Sequence, residues 1–149
     1  VLWRVVQDSE VPVVGEGEAR AVGGDTNLVK VAEEILARGP KQLIVKRGEY
    51  GVLMFNDKQV FGAPAFPLDD VRDPTGAGDT FAGGFLGYLA ATGNRSPEAM
   101  RQAIIFGSVM ASFTVEAFSL DRLRILDYKE IEARFKEFKR LTHFEDIEA

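Results

Sequence analysis

The segment Asp73-Pro-Thr-Gly-Ala-Gly-Asp79-Thr-Phe-Ala-Gly-Gly84 places small residues and carboxylates side by side. A Gly-Ala-Gly loop that runs into a helix presents backbone N–H groups with no intrahelical partners. The positive end of the helix dipole adds to their pull on negative charge. Gly76, Ala77 and Gly78 therefore read as an anion site. Asp79 stands at its edge. A carboxylate in a first helical turn is favoured in its charged form, which makes it a weak base for most chemistry. Phosphoryl transfer tolerates a weak base, because its loose transition state asks mainly for positioning and charge stabilisation. Asp79 can then orient a substrate hydroxyl and accept its proton, while the amides hold the phosphoryl charge. The competing reading is a glycine-rich helix start with Asp79 as a capping acid. Spacing alone leaves both open.

Other chemistries are excluded. A Walker A loop needs Gly-Lys-Ser/Thr after its glycines, and no Lys follows here. A dinucleotide fingerprint needs glycine where Phe81 stands and a strand directly before the loop, whereas a polar loop precedes it. The absence of Cys removes disulfides, thiolate nucleophiles and Cys-based metal sites. His143 is the only imidazole, so His-cluster metals and Ser-His-Asp triads are excluded, and it reads, like Trp3, as a packing or surface group. The net charge of −5 is wrong for wrapping nucleic acid, whose phosphates call for Lys and Arg. No apolar run is long enough to cross a membrane. Asp8 and Glu10 interrupt the first apolar stretch, so no signal peptide is expected. The expectation is a soluble, cytoplasmic protein with no membrane or nucleic-acid partner.

The elements that must position the loop follow from periodicity. With 149 residues, 46% of them hydrophobic, the chain suits one ordinary domain with a real core. Val11–Gly15 reads as a buried strand and Glu16–Ala21 as a short helix or turn. Asp25 or Thr26 is the expected cap of a helix with Leu28, Val31, Ala32, Ile35 and Leu36 on one face, ended by Gly39-Pro40. Gln42–Lys46 reads as a strand covered on both faces, followed by a turn at Arg47–Gly51 and a returning strand at Val52–Phe55. Gln59–Phe61 is a further short strand, and proline-rich Ala63–Thr75 is loop. Ala77–Ala91 reads as a helix with Ala82, Phe85, Leu86 and Leu89 on one face. Its interior Gly83, Gly84 and Gly87 predict close backbone packing. Ser96-Pro97 opens an apolar, central helix reaching about Glu116. Tyr128, Ile131, Phe135 and Phe138 form the stripe of a last helix, with Glu130, Glu132, Arg134, Lys136 and Lys139 solvated. The order is that of an α/β layered fold whose sheet looks incomplete.

The stretch DPTGAGDTFAGGF resembles the C-terminal signature of the ribokinase-like carbohydrate kinases, the PfkB family. The resemblance implies Asp79 as catalytic base and the amides of Gly76, Ala77 and Gly78 as anion hole for the γ-phosphate. Pro74 departs from the family's commoner Thr. Glu18 resembles the Glu of the family's Asn-x-x-Glu motif, which organises magnesium, but Gly15 stands at the Asn position; a solvated helix-start acid is the alternative. Lys46, Gly48 and Gly51 are similar to the strand–turn–strand near the nucleotide phosphates, with Lys46 where Thr is commoner. Ser108 takes the place of a frequent Asn on the helix that covers the adenine.

The resemblance runs from about Val11 to Leu141 and matches the C-terminal half of the family pattern. It implies a three-layer α/β/α sandwich, here its nucleotide-binding half with an incomplete sheet, residues 1–149 forming the ATP-binding and catalytic part of one kinase domain. ATP and Mg2+ are the implied cofactors, and a sugar or nucleoside alcohol the implied acceptor. Missing from the match are the N-terminal strands, the Gly-Gly sugar motif and the β lid. The alternative is therefore an inactive fragment with a nucleotide-binding or structural role. Half a sheet also leaves an edge strand, which invites pairing with a second copy.

Overall fold

The computed structural model describes residues 1–148, and the chain divides into two compact units at Ala63 and Pro64. The first unit opens with a helix the sequence did not suggest, α1 (Leu2–Asp8). It is short and has no side-chain cap, so periodicity has little to register. Val6 is its buried anchor, and the Arg38 guanidinium lies 4.3 Å from the Trp3 ring centre.

Then come β1 (Val13–Gly15), α2 (Glu16–Gly23), α3 (Leu28–Leu36) and β2 (Gln42–Lys46). β1 and β2 are parallel, with Val13 opposite Ile44 and Gly15 opposite Lys46, so α2 and α3 form the crossover. The cap of α3 is Asn27, not Asp25 or Thr26: its Oδ1 accepts the amides of Val29 (2.9 Å) and Lys30 (3.3 Å). Asp25 instead accepts the Asn27 N–H at 2.8 Å, and that bond is the main cause holding its carboxyl below the usual range. Val31, Ala32 and Ile35 of the expected face are buried, with Leu28 and Leu36 partly so.

Leu43, Ile44 and Val45 are all fully buried, as a strand covered on both faces requires. Leu43 and Val45 join Val14, Ala19 and Phe55 in one cluster. A 3-10 turn at Gly48–Tyr50 leads into β3 (Val52–Asn56) and β4 (Val60–Ala63), both antiparallel to their neighbours. The sheet order is β1-β2-β3-β4, a mixed sheet.

The second unit starts with the irregular stretch 64–76 and continues as helices: α4 (Ala77–Thr92), α5 (Pro97–Thr114), the unexpected short α6 (Asp121–Arg124), and α7 (Tyr128–Thr142). Ser96 Oγ accepts the Ala99 N–H at 3.1 Å and Pro97 follows it, which is why α5 begins there. α5 buries residues all round, among them Ala103, Ile104, Val109 and Phe113.

The face of α4 differs from expectation. Phe81 and Phe85 are its buried residues, while Leu86 is 59% exposed. Phe81, Gly84 and Phe85 share one helical face. A Cβ on Gly84 would stand 3.1 Å from the Gly107 Cα, and one on Gly107 only 2.7 Å from the Phe81 carbonyl oxygen. Close backbone packing is therefore real at Gly84. Gly83 and Gly87 point the other way, and a Cβ there meets nothing within 4 Å. Among the described residues no helix is long and apolar enough to cross a membrane.

Candidate active site

The Asp73–Asp79 loop is shaped by its own sequence. Asp73 Oδ1 accepts the Thr75 N–H at 2.9 Å, closing a tight turn. That bond, and then one from the Thr75 hydroxyl, holds the Asp73 carboxyl below the usual range. Gly76 follows with φ +83°, a left-handed conformation that a residue with a Cβ adopts only at a cost. It is the N-cap of α4, and its carbonyl accepts the Thr80 N–H at 2.9 Å.

α5 holds the loop from behind. The Val115 carbonyl accepts the amides of Arg72 (2.8 Å) and Asp73 (3.3 Å). The buried Thr114 hydroxyl donates to Thr80 Oγ1 at 3.0 Å. Thr80 and Thr114 were not expected in the site. Their contact spans 34 positions, and two threonines that far apart give no local sign of meeting.

The amides of Gly76, Gly78 and Asp79 have no acceptor among the described residues. Ala77 differs from expectation: its N–H turns back to the Pro74 carbonyl at 3.2 Å. The open donors are thus Gly76 and Gly78, with Asp79 added. The Asp79 side chain is exposed, and no hydrogen bond or ion pair engages it among the described residues. It occupies the N3 position, where a capping acid would accept the N-cap amide. Glu130 does so on Asp127 (3.3 Å) and Glu18 on Gly15 (2.9 Å). Asp79 does not, so the capping-acid reading loses its support.

Of the other expected residues, Glu18, Lys46, Gly48 and Gly51 belong to the first unit and Ser108 to the second. In the first unit, Gly15 and Lys46 pair in register at the C-terminal ends of parallel β1 and β2, the end of a sheet where ligands usually bind. Glu18 Oε2 accepts the Gly15 N–H, which leaves Oε1 with no protein donor among the described residues. Glu16 pairs with Arg20 (2.9 Å) and Arg47 (3.4 Å), and Lys46 makes no ion pair among the described residues. Gly48 and Gly51 bound the following turn, closed by the Arg47 N–H on the Gly51 carbonyl at 2.8 Å. Ser108 is buried on α5, and its hydroxyl donates to the Ile104 carbonyl at 2.9 Å. No cluster of three His or carboxylate side chains able to hold a metal exists among the described residues. Glu18 Oε1, with no protein donor among the described residues, is the oxygen of the expected set that could meet a hydrated Mg2+, an ion that keeps most of its waters.

Arg134 was expected in solvent. It lies against α5 instead, with Nη1 2.5 Å from Glu116 Oε1 and its Cζ 3.7 Å from the Phe113 ring centre. A helical wheel cannot tell a solvated Arg from one that folds its stem over an aromatic face.

The profile of the pfkB family carbohydrate kinase matches residues 9–123. The chain is 37% identical over 91 residues to the cytidine kinase of Thermococcus kodakarensis, covering 59% of this chain and 32% of that protein. Among solved structures, a nucleoside kinase from Burkholderia thailandensis in complex with inosine superposes with a TM-score of 0.70 at 30% identity, over 91% of this chain and 43% of that one. A putative ribokinase II from E. coli in complex with ATP and Mg2+ does so with a TM-score of 0.71 at 25% identity, over 91% and 42%. The chain thus spans about a third of the length of that cytidine kinase and under half of these structures.

Proposed function

Because the chain belongs to the pfkB family of carbohydrate kinases, we propose that it carries the catalytic segment of a phosphotransferase moving the γ-phosphoryl group of ATP to a sugar or nucleoside hydroxyl. The observation that carries the proposal is the start of α4: open amides at Gly76 and Gly78 beside an Asp79 carboxylate with no other task. The amides hold the equatorial phosphoryl oxygens, where charge sits in the transition state. Ala77 joins them when its bond to Pro74 yields to a charged oxygen, a stronger acceptor than a carbonyl. Asp79 orients the acceptor O–H and takes its proton. The acceptor oxygen bonds to the γ-phosphorus as the bond to the bridging β–γ oxygen breaks, and ADP leaves.

Mg2+, when bound, neutralises phosphate charge, and Glu18 Oε1 would reach it through water. Lys46, Gly48 and Gly51 contact the nucleotide phosphates in this reading, on the resemblance of their segment. Ser108 borders the adenine through its helix surface, since its hydroxyl proton is committed to Ile104. The complete protein is a three-layer α/β/α sandwich acting in the cytoplasm, and residues 1–149 are the ATP-binding part of its kinase domain.

One observation favours a second reading, nucleotide binding without turnover: the Glu18 carboxylate already caps its own helix at Gly15. The test is ATP consumption by the protein against a panel of pentoses, hexoses and nucleosides. Phosphorylated product from any of them supports the kinase. ATP binding with no product supports the second reading.

A further inference from the structure

Around Phe113 four charged side chains form a circuit that the chemistry above does not use. The guanidinium carbons of Arg134 and Arg122 lie 3.7 and 4.9 Å from the Phe113 ring centre. Glu116 joins the two, with Oε1 2.5 Å from Arg134 Nη1 and Oε2 3.1 Å from Arg122 Nε. Arg122 Nη2 continues to Glu130 Oε1 at 2.6 Å. Arg134 Nη1 also donates to Ser112 Oγ at 3.0 Å. The Arg134, Arg122 and Glu116 side chains are 17%, 18% and 22% exposed, so water screens these three less than the 42% exposed Glu130 at the end of the circuit.

Its anchor points, Ser112, Phe113 and Glu116, interleave with Thr114 and Val115, which hold the Asp79 loop. α5 ends at Val115 in an ordinary right-handed conformation, with no glycine to lock its last turn. A helix end of that kind frays unless something fixes it. Stability alone does not call for arginines, because apolar groups of similar volume replace partly buried ion pairs with little or no loss. A planar guanidinium adds a fixed direction, which an apolar group lacks.

We infer that Arg134 is a positioning residue for the Asp73–Asp79 loop. By clamping Ser112, Phe113 and Glu116 it sets the last turn of α5, and Thr114 and Val115 transmit that position to Thr80, Asp73 and Arg72. The effect on turnover rests on the phosphotransfer reading above; the effect on the loop does not.

The test compares Arg134→Met, which keeps the stem over Phe113, with Arg134→Lys, which keeps the charge, and with Glu116→Gln as a second route to the same break. Amide hydrogen exchange is followed at Arg72 and Asp73, with Ile104 in the middle of α5 as internal reference. Exchange at Arg72 and Asp73 should quicken by about tenfold or more in Arg134→Met while Ile104 is unchanged, and Lys should not restore it. In the kinase assay kcat should fall by about tenfold while KM for ATP stays within about threefold. Equal changes at Arg72, Asp73 and Ile104, or full rescue by Lys, would overturn the inference. A protein with no kinase turnover before any substitution counts against the phosphotransfer reading alone, and the exchange measurement then decides the positioning role by itself.

Discussion

α4 and α7 begin in opposite ways. At the start of α7, Asp127 accepts the Glu130 N–H at 2.9 Å and Glu130 accepts the Asp127 N–H at 3.3 Å. Arg122 neutralises Glu130, and its hydrogen bond is the main cause holding that carboxyl below the usual range, ahead of the Asp127 amide. Both capping carboxylates there are engaged, by backbone amides and by Arg122, and neither is left for a ligand. The start of α4 has a glycine cap with no side chain, amides without acceptors and a carboxylate that declines the capping role. An acid stands at N3 in both, but the longer Glu130 reaches back to its N-cap amide and the shorter Asp79 does not. The α4 end is left open while its loop is pinned from behind by Val115 and Thr114, and it is the end we propose for phosphate.

The largest expected effect is on chemistry at the open end. Asp79→Asn keeps the size of the side chain and should lower kcat by about 10²–10⁴-fold while ATP affinity moves only a few-fold. Steady-state kinetics with direct ATP binding checks this. Retention of more than about a tenth of kcat would return Asp79 to a structural role.

Next in size is the close approach that seats α4. Gly107→Ala places a Cβ 2.7 Å from the Phe81 carbonyl oxygen, so backbone must move. The expected loss is about 1–3 kcal/mol by chemical denaturation. Gly83→Ala is the control: its Cβ meets open space, and a gain of about 0.5–1 kcal/mol is expected. A loss at Gly83 matching that at Gly107 would mean the helix face has been misassigned.

At the sealed end, Asp127→Ala removes the α7 cap and should cost about 1 kcal/mol with kinase turnover unchanged. Turnover falling as it does in Asp79→Asn would erase the distinction between the two ends.

The smallest effect is a pH dependence of the loop. The Asp73 carboxyl is lower in the folded chain than its unfolded value near 4. Its contribution is therefore present above that value and lost as pH falls through the folded one. Thr75 amide exchange should quicken below about pH 4, and Asp73→Asn should flatten that response.

Much of this was legible because its causes are local. Leu43-Ile44-Val45 announced a strand buried on both faces, Ser96-Pro97 the start of α5, and Gly76–Gly78 the start of α4, though not the turn of the Ala77 amide back to Pro74. The fold family was legible from one signature for the same reason. What stayed hidden depends on partners far along the chain. Phe81 is buried because Gly107 lets α5 approach, while the apolar residues around α4 favour no single face. Thr80 has meaning only beside Thr114. Arg134 looks solvated until Phe113 and Glu116 are brought to it. The Asn27 cap was missed because Asp25, Thr26 and Asn27 are all good cap residues, and the turn at Asp25 decides among them.

The central claim is that the open start of α4 is an anion site and the sealed start of α7 is not. The direct test is a titration of the 15N-labelled protein with magnesium–ATP, followed by amide chemical shifts. The account predicts shifts at Gly76, Gly78 and Asp79 that saturate together, none at Asp127–Glu130, and their loss in Ala77→Asp. Saturable binding that leaves Gly76, Gly78 and Asp79 unmoved, or that survives Ala77→Asp unchanged, would contradict it.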